Sequence, residues 1–166
     1  MLNDDQIEEI LELLTTYNEN TKIYLGCDSI RVRRRGRPAA KFATVCILHK
    51  NGNEGCRIFS NISYENDFDQ KANKPRLRML NEVRKVCELY QQLAGIIDDF
   101  DVEIHLDIST DPKNGSNIAA QEAAGYVLGV TGIEPKFKPD SFGSSFGADN
   151  MVRGGESKKS KSNDNL

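Results

Sequence analysis

The stretch KIYLGCDSI, residues 22–30, is apolar on both pleat faces until it meets an acid. Ile23, Leu25 and Cys27 alternate with Tyr24 and Gly26, so neither face reads as solvated. That is the pattern of a central strand covered on both sides. Asp28 ends the run, and a carboxylate there is costly to bury without a partner. The purpose of that carboxylate is the question from which the rest of the chain can be read.

Upstream, Ile7, Ile10, Leu11, Leu14 and Tyr17 form a helical stripe over residues 4–17, with Asn3 or Asp4 as N-cap. Downstream comes RVRRRGRP, a basic loop or strand extension ending at Pro38, and then a second strand over residues 41–49. Asn51-Gly52 is a hairpin signal, and residues 56–64 read as a third strand, completing an antiparallel meander. Pro75 suits the first position of a helix running over roughly residues 75–94, with Leu77, Leu80, Val83 and Val86 as its apolar stripe. VEIHLDIS, residues 102–109, is a further strand carrying an acid, Asp107. Ser116 would cap a small-residue helix reaching about Leu128, and IEPKFKP, residues 133–139, reads as an edge strand because its prolines cannot donate to a ladder. A Gly/Ser loop then precedes a short final helix near Asp149.

The expected fold is therefore α/β: a mixed sheet, with a three-stranded antiparallel meander followed by parallel strands and helices on both faces. One domain is expected over residues 1–152, led by a helix within 1–20, with a disordered polar tail over 153–166.

Composition narrows the function. A hydrophobic fraction of 38% and a charged fraction of 28% suit a globular chain, and the net charge of −3 provides no overall basic field. No apolar run approaches the ~20 residues that span a bilayer. The acidic start MLNDDQIEEI is unlike a signal peptide, so a cytoplasmic location is expected. Four cysteines, at positions 27, 46, 56 and 87, form no CxxC pair and argue against structural zinc. Buried thiols are expected rather than a disulfide across the hairpin between Cys46 and Cys56. Glycine-rich phosphate loops and a Gly-x-Ser-x-Gly elbow are absent.

The acids carry the chemistry. In open α/β sheets, sites gather beyond the carboxyl ends of adjacent parallel strands, which is where Asp28 and Asp107 fall. Glu82 on the intervening helix and Asp149 after the Gly/Ser loop would extend the pair to four, with Glu88 and Asp111 competing for those two places. Carboxylates so grouped repel unless cations hold them. Their natural occupants are two Mg²⁺ or Mn²⁺ ions, which can activate water and stabilise the leaving oxygen of a phosphodiester.

The motifs YLGCDS, HLDISTDPKNGSN and GYVLGVTGIEPKFKPDSFGSSFGAD resemble the ribonuclease H-like superfamily, and within it the YkuK-like family. The resemblance spans roughly residues 1–150. It implies that Asp28, Glu82, Asp107 and Asp149 serve as catalytic and metal-binding residues. Asp28 would bridge the ions and Asp149 would hold the more loosely bound one. It also implies a metal-dependent nuclease acting on RNA, DNA or a hybrid. The alternative is a catalytically inactive domain of the same fold that binds nucleic acid or protein.

Residues 31–37 carry five arginines in seven positions directly after the acid, a phosphate clamp that net charge withholds. Ser29, Arg31, Arg33, Arg34 and Arg35 are candidates for substrate contact, as are Lys113, Asn114 and Ser116 at the head of the following helix. His105 is expected to be a satisfied core histidine. Aromatics are 7% of the chain with no Trp, and no base-stacking array is visible in the sequence.

Overall fold

β1 (Lys22–Arg34) is the middle strand of a five-stranded sheet. It pairs antiparallel with β2 (Arg37–His49), which pairs antiparallel with β3 (Cys56–Asn66). On its other side β1 runs parallel to β4 (Asp101–Ser109), and β4 runs parallel to the edge strand β5 (Lys136–Lys138). These elements come from a computed structural model that describes residues 1–69, 76–109, 117–138 and 140–141. The helices are α1 (Asp4–Thr16), α2 (Arg76–Ile97) and α3 (Asn117–Thr131). Ser116 as a cap, Pro75 as a helix start, the final helix near Asp149 and the tail from residue 153 lie outside the described residues.

Of the two readings of the basic segment, loop or strand extension, the structure has the strand extension, closed by a hairpin turn. β1 continues six residues past Asp28, and the opposed pair Arg34↔Arg37 is joined by Arg35-Gly36 alone. Both turn residues have positive φ, 50° and 78°, as a primed two-residue turn requires. Glycine adopts that geometry freely, whereas Arg35 is held there by the strand pairing on either side. β2 therefore begins at Arg37, with Pro38 at its start, four residues earlier than the apolar run suggests. Asn51-Gly52 instead lies in a 3₁₀ turn, Lys50–Gly52, within the longer β2–β3 connection.

Alternate residues explain the core. Ile23, Leu25 and Cys27 of β1 share a pleat face with Phe42, Cys46 and Leu48 of β2, with Phe59 of β3, and with Ile104, Leu106 and Ile108 of β4. All three helices feed this cluster: Ile10 and Leu14 from α1, Val83, Val86, Leu89 and Leu93 from α2, and Ala120, Ala123 and Val127 from α3. Asn3 caps α1 through a capping box with Gln6. Ala43 and Val45, on the opposite pleat face, are buried with Ile30 packed against them.

The stripe of α2 differs from expectation at its start. Leu77 is exposed, while Glu82 stands in line with Val86, Leu89 and Leu93. A spacing of four, three and four residues places all of them on one helical face. The helix thus turns an acid toward the sheet.

Candidate metal and nucleic-acid site

The β1–β4 ladder has Cys27↔Leu106 as its last parallel pair. Asp28 and Asp107 are the next residues on the two strands, so one point in the sheet brings both acids forward. Asp28 does not end β1, as its apolar run suggested. It marks where β1 loses its β4 neighbour and continues with β2 alone, opposite Ala43. In open α/β sheets ligands bind beyond the carboxyl ends of the parallel strands, which is where this junction lies.

Glu82 enters from α2. Its carboxylate is buried and accepts a hydrogen bond from the Ser29 hydroxyl, across the helix–sheet interface. Burial, and then the charge of Asp28, push the Glu82 carboxyl up to about 8, against the Ser29 hydrogen bond and the cations Arg78 and Lys138. Asp28 Oδ1 accepts the Ser29 amide at 2.7 Å. Ser29 therefore ties two of the acids together, one through its backbone and one through its side chain.

Asp107 is met by Lys138, which β5 carries opposite Ser109 through an irregular register with β4. The contact is an ion pair without hydrogen-bond geometry, since Asp107 Oδ1 is buried with no hydrogen-bond partner. Among the described residues, no three His, Cys, Asp or Glu side chains are close enough together to enclose a metal ion. The residues nonetheless suit a hard divalent cation in kind. They offer carboxylate oxygens alone, one of those oxygens lacks a hydrogen bond, and a lysine ammonium already stands among them. Asp149, Lys113 and Asn114, like Ser116, lie outside the described residues. The competing Glu88 is turned aside to Arg84.

Two other groups near the acids are accounted for without chemistry. The Cys27 thiol is buried, and burial together with Glu82 pushes its pKa up, so it is no nucleophile. His105 is buried against Tyr24, with Nε2 2.9 Å from Glu103 Oε2, and burial holds its pKa below the ordinary value. That matches the expected core histidine.

The arginines divide. Arg31 is committed to structure: Nε donates to Asp67 Oδ2 at 2.6 Å, and its Nη2 donates to the Asp69 carbonyl. Asp69 in turn accepts the amides of Leu77 and Arg78 at 2.9 and 3.0 Å, capping the first turn of α2 from outside the helix. The chain Arg31–Asp67–Asp69 anchors the helix that carries Glu82. Reading the sequence missed Asp67 and Asp69 because the cap lies eight residues before the amide it satisfies, beyond any local capping spacing. Arg33, Arg34 and Arg35 stand exposed on the hairpin.

Among the described residues, no helix is long and apolar enough to cross a membrane. Comparison with curated proteins returned no match, and comparison with solved structures returned none either. The ribonuclease H-like family model matches residues 5–153, a span that holds the mixed sheet and the candidate acids Asp28, Glu82, Asp107 and Asp149. With that match over most of its length, and with a β3-β2-β1-β4-β5 sheet running from antiparallel to parallel, the chain belongs to the ribonuclease H-like family.

Proposed function

We propose that the protein is a metal-dependent nuclease that hydrolyses phosphodiester bonds in nucleic acid. The observation that carries this reading is the position of Asp28 and Asp107, side by side where the parallel ladder ends, with the buried Glu82 presented to Ser29 from α2. Asp28, Glu82 and Asp107, with Asp149, would hold Mg²⁺ or Mn²⁺ in a two-ion site. Such ions supply a Lewis acid for the phosphoryl oxygens and lower the pKa of bound water. The chain's own residues prepare that site. Ser29 orients the Glu82 carboxylate, the Arg31–Asp67–Asp69 chain fixes the helix behind it, and Lys138 offsets the charge of Asp107.

The test is calorimetric titration of Mn²⁺ and Mg²⁺ into wild type and Asp28→Asn, with cleavage of labelled RNA, DNA and hybrid run in parallel. The expected result is metal binding and cleavage in wild type. In Asp28→Asn and Asp107→Asn, cleavage should fall by about three orders of magnitude, some 4 kcal/mol at the barrier. Full activity in both variants would remove the reading.

One observation favours a second reading, a non-catalytic nucleic-acid-binding domain. Lys138 already supplies positive charge at Asp107. If it substitutes for the metal, wild type binds neither ion and turns over no substrate, while nucleic-acid binding persists.

A further inference from the structure

The hairpin, β3 and α2 line a groove of about 860 Å³, and none of its lining residues is among the candidate acids Asp28, Glu82 and Asp107. Arg34, Arg35 and Arg37 line it from the turn, Tyr64 and Phe68 from β3 and the segment after it, and Asn81 from α2. Its one acid among these described lining residues, Glu65, is taken by Lys85 at 2.6 Å and Arg84 at 2.9 Å. The surface left to a ligand is therefore cationic, in a chain whose net charge is −3.

The aromatics are placed for contact rather than for the core. Phe68 is 73% exposed and Tyr64 45%, although an exposed phenylalanine gains nothing from folding. Arg34 lies over the Tyr64 ring, 4.9 Å from its centroid, beside the groove that both residues line. Phe68 offers a ring face without such a cover among the described residues. Flat apolar faces interleaved with arginines suit a polyanion that carries exposed bases. A duplex hides its base faces, and an acidic peptide has none. α2 contributes to both places, since Asn81 lines the groove and the next residue, Glu82, is buried against Ser29.

We propose that this groove binds single-stranded nucleic acid, with a base stacked on Phe68 and phosphates held by Arg34, Arg35 and Arg37. The binding assignment stands by itself. As a statement about substrate, namely that single-stranded segments are led toward Asp28 and Asp107, it rests on the nuclease reading above. The two can fail separately, because binding is measured without metal.

The experiment is fluorescence anisotropy of the full chain with labelled oligothymidylate and oligouridylate about 15 nucleotides long, in EDTA, over a range of salt. Phe68→Ala should weaken binding about 5- to 100-fold, the loss expected for one stacked base, without altering the salt slope. Its exposure means that the fold is not at stake. Replacing the arginines together (Arg34→Gln, Arg35→Asn, Arg37→Gln) should reduce the slope of log K against log salt by about 2, at roughly 0.7 per phosphate released. Asn at position 35 tolerates the positive φ of the turn. Three results would each overturn the proposal: unchanged affinity in Phe68→Ala, a blunt duplex bound as tightly as the single strand, or equal competition by polyglutamate.

Discussion

The two halves of β1 differ in their neighbours and in their burial. From Lys22 to Cys27 the strand has β2 on one side and β4 on the other, and Ile23, Leu25 and Cys27 are buried. From Asp28 to Arg34 only β2 remains alongside, and burial fades until Arg33 and Arg34 are exposed. One strand thus serves as a core element and as a projecting arm, and the candidate acid lies at the junction. A carboxylate one residue earlier would sit within the parallel ladder, and one much later would lie far from Glu82. Chemistry of this kind needs a rigid support on one side and access on the other, and the end of a ladder supplies both.

The comparison can be broken by mutation, and the largest effect belongs to the buried half. Leu25→Ala should lower unfolding free energy by about 3 kcal/mol, because it leaves a cavity between α2 and the sheet. Chemical denaturation would show it as a shifted midpoint with an unchanged slope. An equal loss for Arg34→Gln would erase the distinction between the two halves.

At the junction the effect depends on pH. The folded protein keeps the Glu82 proton to about pH 8, whereas the unfolded chain releases it near 4.5. Between those values the folded state binds more protons at this group, so the contribution of Glu82 to stability is fully present below pH 4.5 and is lost as pH rises toward 8. In the presence of a chelator, Glu82→Gln should flatten this decline and be more stable than wild type at pH 8, by on the order of 2 kcal/mol. A parallel decline in the variant would show that another group titrates.

A smaller effect is expected where the arm is tied down. Asp69→Ala removes the acceptor for two amides of α2 and should cost about 1 kcal/mol in thermal or denaturant unfolding. Exposed arginines come last. Arg33→Gln should change stability by less than about 0.5 kcal/mol, and a larger loss would mean that the arm contributes to the fold.

Much of this was legible from residue order. Alternating apolar residues marked β1 and β4, the periodic stripes marked α1 and α2, and the two prolines near β5 marked an edge. These are local signals, set by which side chains can face a core at a period of 2 or 3.6 residues. Asp28 and Asp107 stood out because each interrupts an apolar strand. Glu82 followed from helix phase, and the structure aligns it with Val86, Leu89 and Leu93.

What residue order could not supply was the meeting of distant segments. The register of β1 against β4 decided that Asp28 and Asp107 are neighbours. The eight-residue reach from Asp69 to Leu77 decided what anchors α2, and the arrival of Lys138 at Asp107 decided the charge among the acids. The placing of Tyr64 and Phe68 beside arginines about thirty residues earlier in the chain turned scattered aromatics into the wall of a groove. Sequence alone determined the elements and the residue types, because those depend on local sterics and hydrophobic period. Only the tertiary structure decided which charges and rings share a site, because pairing across the sheet joins residues whose separation along the chain carries no local signal.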